Sequence, residues 1–157
     1  MNRVPFSPFG RPGRSGGIFA IVVVVAIIGS LGFISVRNLL QDRRDQNERT
    51  AMQNIRTVNT ALYKYRQTHP DSYPKAITEF TELHPTLRCA EAECVNAGYR
   101  YTYELLPPDN MGPRYVILVR PVKYRNTGEQ SFYSDESGVI RATKDNRPAS
   151  AGDGPVS

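Results

Sequence analysis

The chain has 157 residues, with 20 Lys and Arg against 15 Asp and Glu, two His, two Cys, no Trp and a net charge of +5. Arg3, Arg11 and Arg14 all precede a long apolar run, so the balance beyond it is too weak to argue for a nucleic-acid partner. Once that first part is set aside, about 100 residues remain, enough for one small domain and no more.

Residues 1–16 read as a cytoplasmic, leader-like segment. From Gly17 to Val36 the sequence GIFAIVVVVAIIGSLGFISV carries no charge. At about 1.5 Å rise per residue such a helix spans a hydrocarbon core of about 30 Å, so residues 17–36 are expected to form a transmembrane helix. Val22 to Val25 are middling helix formers in water, but in lipid every backbone group must bond internally. Arginines flank both ends, Arg37, Arg43, Arg44 and Arg49 on the far side, so charge alone does not set the orientation. A cleaved secretory signal is the competing reading. The run exceeds the roughly 7 to 15 apolar residues of such a signal, and no small-x-small cleavage site follows. Ala26, Gly29, Ser30 and Gly32 are small positions where another helix could approach closely, although their spacing is not GxxxG.

Residues 37–69 are expected to continue the helix into a head. There is neither Pro nor Gly between Arg37 and His69, and Met52, Ile55, Val58, Leu62 and Tyr65 recur at helical spacing to mark a core-facing stripe. Arg44 with Glu48 and Asp45 with Arg49 are spaced to pair along the helix surface. Pro70 and Pro74 break the pattern in ThrHisProAspSerTyrPro at 68–74.

Residues 70–143 form the expected head. Ile77, Phe80 and Leu83 suggest a short helical turn within 75–87. Tyr99 to Leu105 alternates and Tyr115 to Val119 is β-branched and apolar, with ProProAspAsnMetGlyPro turn chemistry between them. Runs at 130–134 and 139–143 meet across AspGluSerGly. Tyr99, Tyr101 and Tyr103 share one strand face, best used against the long helix. The expected class is α+β: a long N-terminal transmembrane helix packed on a small antiparallel meander sheet of three to four strands. Residues 144–157 offer only Val156 as a bulky apolar group and are expected to be a disordered tail.

Several stretches then resemble a known family. ValValAlaIleIleGly at 24–29, AsnLeuLeu at 38–40, ArgArg at 43 and 44 and AsnGlu at 47 and 48 resemble the N-terminal helix of type IV pilins. IleArgThrValAsnThrAla at 55–61, SerTyrPro at 72–74 and SerPheTyrSerAspGluSerGlyValIleArg at 131–141 resemble the heads of pilins and type II secretion pseudopilins. The resemblance spans roughly residues 16–143. It implies a pilin-like fold and a structural or assembly subunit, a minor pilin or pseudopilin of a type IV pilus or type II secretion system, and not an enzyme. It also implies a single-pass protein of the bacterial inner membrane, N-terminus cytoplasmic and head periplasmic or extracytoplasmic. Its partners would be membrane lipid, other pilin-like subunits through the N-terminal helix, and the assembly machinery. The leader would be processed near Ser15, Gly16 and Gly17. Ser15 stands where the family has a glycine before the cut, and Ala20 where it has a glutamate five residues into the mature helix. Moving the cut past Gly16 or Gly17 puts Ile21 or Val22 there instead. Arg37 replaces a mid-helix proline. These departures leave a second reading, a membrane-anchored extracytoplasmic binding module that is not assembled into a filament.

Other chemistry finds little support. Cys89 and Cys94 are expected to form a disulfide if the head is extracytoplasmic, closing a short loop worth roughly 2 kcal/mol. His69 and His84 have no zinc spacing, so no metal site is expected. No serine sits in a GlyXaaSerXaaGly elbow, and no phosphate-binding glycine loop follows a strand, so neither catalytic residues nor a cofactor are expected.

Overall fold

A computed structural model of the chain describes residues 15–76 and 94–156, apart from the side chains at 15–20 and 27–38. The chain divides into two compact units, Met1–Leu39 and Leu40–Ser157.

One helix, α1, runs over Ser15–Thr68. Its end follows from Pro70, which disfavours helical geometry at His69. The last turn closes with the His69 amide on the Tyr65 carbonyl at 2.9 Å and the Thr68 hydroxyl on the same oxygen at 3.0 Å. Five strands follow among the described residues: β1 (Cys94–Asn96), β2 (Tyr99–Asp109), β3 (Gly112–Pro121), β4 (Ser131–Asp135) and β5 (Arg141–Thr143). They form one antiparallel meander in the order β1-β2-β3-β4-β5.

Each tight turn has its own chemistry. Ala97 and Gly98, both at positive φ, join β1 to β2 as a two-residue hairpin. Asp109 accepts the Met111 amide at 2.8 Å to turn β2 into β3. Asp135 accepts the Ser137 amide at 3.0 Å ahead of Gly138, at φ 72°, to turn β4 towards β5.

The core lies between α1 and the inner face of the sheet. Ala51, Ile55, Val58 and Leu62 repeat at helical spacing and are buried, while Met52 packs against their edge. Facing them are Tyr99 and Tyr101 of β2, Tyr115, Ile117 and Val119 of β3, and Phe132 of β4. These alternate with outward-facing residues, as strand geometry requires.

The fold expectation needs correction on two points. The sheet has five strands, not three to four, and its two central strands of 11 and 10 residues make it the dominant layer over the helix at 39–68. β2 and β3 are long because the turn occupies only Asn110 and Met111, and the ladder carries Pro107 and Pro108 through a register shift between Leu106 and Asp109. The second point is the membrane. Among the described residues no helix is long and apolar enough to cross one.

The C-terminal residues also differ from expectation, since they fold back on the sheet. The Val156 amide bonds the Ile140 carbonyl at 2.8 Å, the Ala142 amide bonds the Gly154 carbonyl at 3.1 Å, and Arg141 bridges Pro155 beside β5. Val156 packs against the core and Ala149 is buried. Composition counts apolar bulk, whereas this strap is held mainly by hydrogen bonds. The short helical turn expected within 75–87 falls almost wholly outside the described residues.

Candidate functional site

Three features of the described residues are candidates for function: an apolar stretch of α1, a polar clasp between α1 and the β3–β4 loop, and a groove on the outer face of the sheet.

In the first unit, Ile21 through Val25 present five consecutive aliphatic side chains to the surface, with Ile21 at 65%, Val22 at 60% and Val25 at 63% exposed. Isolated exposed aliphatics are ordinary, but a contiguous run is the signature of a surface that something else covers. Of the small positions expected to favour helix association, Ala26 is exposed, and the side chains of Gly29, Ser30 and Gly32 lie outside the described residues. Ser15, Gly16 and Gly17, the expected leader-processing region, form the first positions of α1, and their side chains are likewise outside the description.

In the second unit, one turn of α1 grips the loop at 125–130. Glu48 accepts the Glu129 amide at 2.7 Å, the Gln130 amide at 3.2 Å and the Gln130 side-chain amide at 3.0 Å. Arg44 bonds Glu129 at 2.9 Å and the Arg125 carbonyl at 3.1 Å, and Asn47 donates to the Thr127 carbonyl at 2.9 Å. Arg44 and Glu48 are spaced to pair with each other, yet each reaches across to the loop. A carboxylate that collects backbone amides gains more there than in an exposed pair along a helix. Tyr99 lies under this loop and donates to the Gln130 carbonyl at 3.1 Å. Burial first, and the nearby Glu48 charge second, push its phenol well above the ordinary tyrosine range.

Further along α1, two asparagines tie the helix to the sheet. Asn54 donates to the Tyr101 hydroxyl at 3.0 Å and to Asn96 at 3.2 Å. Asn59 donates to the Ser134 hydroxyl at 2.8 Å and accepts from Tyr115 at 3.3 Å. Among the described residues no buried side-chain polar atom lacks a partner, so these groups fix the seating of the helix and are not reactive groups aimed into a cavity. Tyr103, the third tyrosine of the alternating run, donates to the Pro74 carbonyl at 2.9 Å and so ties β2 to the segment after the helix.

The outer face of the sheet is different in kind. A groove of about 580 Å³ runs over β2 and β3 there. Its floor is Arg100, Thr102 and Glu104 from β2 with Leu118 and Arg120 from β3. Val122 and Tyr124 of the β3–β4 loop and Asn146 and Pro148 of the C-terminal strap also line it. The loop is tied to the strap, and the strap is tied to itself. Tyr124 donates to the Lys144 carbonyl at 2.8 Å, and Arg147 and Asp153 hold the strap in a forked ion pair. Side-chain hydrogen bonding to Arg147, then bonds from Ser150, keep the Asp153 carboxyl well below the usual carboxylate range. Neither the groove nor the strap is signalled in the sequence, because their residues come from segments far apart along the chain.

Cys94 is fully buried on β1 and is disulfide-bonded; Cys89 lies outside the described residues. His69 is exposed and stacked on Tyr65 with ring centroids 4.2 Å apart, whereas His84 is outside the description. Among the described residues no three His, Cys, Asp or Glu side chains gather closely enough to hold a metal ion. Compared with protein-family models, with curated proteins and with solved structures, the chain finds no match in any of the three.

Proposed function

We propose that the chain is a pilin-like structural or assembly subunit, a minor pilin or pseudopilin of a type IV pilus or type II secretion system, and not an enzyme. The observation that carries this reading is the exposed aliphatic run Ile21–Val25 at the head of a 54-residue helix whose later turns, from Ala51 to Leu62, are buried in a folded head. Covering that run takes lipid or the same region of other copies, since burying a large aliphatic side chain is worth about 1.5–3 kcal/mol. In this proposal the protein waits at the bacterial inner membrane with its head extracytoplasmic and its aliphatic run in lipid. It then exchanges lipid for neighbouring copies, which approach at Ala26, Gly29, Ser30 and Gly32. The disulfide at Cys94 supports an oxidising, extracytoplasmic setting for the head.

Two measurements on membrane-extracted protein test the reading. Intact mass should show loss of the residues before the Ser15–Gly17 region together with a methylated new terminus. An Ala26→Cys variant should crosslink copy to copy. A full-length mass with no crosslinking would overturn assembly and favour the second reading, an anchored head that binds a partner. The outer groove is the observation that favours that alternative.

A further inference from the structure

We propose that the heads of neighbouring copies dock head to tail, the tip of the β2–β3 hairpin of one copy entering the outer groove of the next. The proposal rests on the assembly reading and names a contact between heads within it.

The starting observation is how far the hairpin outruns its neighbours. Among the described residues β1 pairs only with Tyr99–Tyr101 of β2, and β4 only with Val116–Val119 of β3. From Thr102 and Tyr115 the two-stranded ladder therefore continues to the turn at Asn110 and Met111 with no third strand beside it. Leu105, Pro107, Pro108 and Met111 are exposed on this arm, Met111 at 86%. An exposed methionine alone is ordinary, but four apolar residues on one arm mark a contact surface. Pro107, Pro108 and Pro113 have no amide to donate, so the arm is a poor template for another strand and engages a partner through its side chains.

The matching concavity lies at the other end of the same hairpin. Leu118, Pro121, Val122, Tyr124 and Pro148 give the groove apolar surface, and its volume of about 580 Å³ is ample for the Met111 side chain. Charge matches as well. Arg120 in the groove is exposed and forms no ion pair among the described residues. Asp109, at the base of the turn, has a side chain 42% exposed and only loosely paired with Arg114 at 3.5 Å. Seating Met111 against Leu118 and Val122 brings that carboxylate to the same contact as the Arg120 guanidinium. At roughly 3.3 Å per residue Arg120 lies about 26 Å along β3 from Gly112, so an arm cannot fill its own groove. The contact therefore passes between copies. Because each copy offers a different surface on its two sides, the contact repeats from copy to copy, as a filament requires and a two-fold dimer does not. The groove that would hold a foreign partner in the second reading is here occupied by another copy. The Tyr124–Lys144 bond already ties its loop to the strap, so docking requires little ordering there.

The test co-expresses two tagged forms of the full chain, one carrying Met111→Cys and the other Val122→Cys, and oxidises the membranes mildly. Both positions are exposed, so neither substitution disturbs the core. The expected result is a mixed-tag crosslink about tenfold stronger than either variant gives alone. Adding Arg120→Glu to the Val122→Cys copy should lower that yield about threefold. Ala26→Cys, run in parallel, reports assembly itself. Strong Ala26→Cys crosslinking without the mixed-tag product would overturn the docking and leave the assembly reading in place, whereas absence of both would end the two together. Equal yield from Met111→Cys alone, or a mixed-tag yield untouched by Arg120→Glu, would also overturn the docking.

Discussion

The two faces of the sheet are built on opposite principles. On the inner face, Tyr99, Tyr101 and Tyr115 bury their rings and each passes its hydroxyl to a specific partner, the Gln130 carbonyl, Asn54 and Asn59 respectively. On the outer face, the same strands display Arg100, Glu104 and Arg120, with Asn146 and Pro148 of the strap lining the groove beside them. The inner face is therefore specified by shape and satisfied polarity, and substitutions there should act on the whole fold. The outer face is specified by exposed charge and local hydrogen bonds, and substitutions there should act locally.

The largest expected contrast comes from adding one methyl group to a glycine on each side. A Cβ at Gly128 would collide with the ring and hydroxyl of Tyr99, which is fully buried and cannot swing away. A Cβ at Gly154 in the strap meets nothing. Gly128→Ala should therefore destabilise the head by about 1–3 kcal/mol, and Gly154→Ala by less than about 0.5 kcal/mol, in denaturant unfolding followed by circular dichroism. Equal effects would mean that the inner face has more slack than its packing implies.

A smaller effect separates the hydroxyls from the rings. Tyr101→Phe keeps the ring and removes the acceptor for Asn54, which retains Asn96, so the cost should be about 1 kcal/mol. It should also alter the alkaline limb of stability. Burial pushes the Tyr101 phenol from 10.0 up to about 12, partly opposed by the Asn54 hydrogen bond. Between those values the unfolded chain has released the proton and the folded chain still holds it, so raising the pH favours unfolding. Stability should thus be undiminished below pH 10 and fall as pH rises towards 12, with a shallower fall in Tyr101→Phe. Tyr99 and Tyr115, both raised chiefly by burial, account for the slope that persists.

These contrasts match what the sequence reveals and what it hides. The inner face is legible because strand alternation at Tyr99, Tyr101 and Tyr103 and helix periodicity at Ile55, Val58 and Leu62 are local patterns that burial obeys. β1 escapes such a reading, being three residues long and entering a hairpin whose first turn position is Ala97, not the usual Asn, Asp or Gly. The clasp escapes it too, for the spacing of Arg44 and Glu48 points to a helix-surface pair while their actual partners lie more than 80 positions away. The outer groove has no local signature at all, since Arg100, Arg120 and Asn146 meet only once the sheet register and the strap are in place.

The finest test of the comparison is in the strap. Asp153 receives Arg147 and the Ser150 amide and hydroxyl, and the Arg141 side chain bonds its carbonyl at 2.9 Å. Its carboxyl titrates below the ordinary range, so the Arg147–Asp153 pair is complete above the usual Asp pKa and is lost as the pH falls through the lowered one. Arg147 is exposed while Asp153 is largely covered, and the solvent screening of Arg147 limits what the pair adds to global stability. Asp153→Asn should therefore leave the unfolding midpoint of the head nearly unchanged while raising hydrogen exchange at the Ser150 and Val156 amides, and exchange at core amides such as Val119 should stay as in the parent. If the midpoint instead dropped as far as in Gly128→Ala, the strap would belong to the cooperative core, and the distinction between a face built for the fold and a face left for partners would fail.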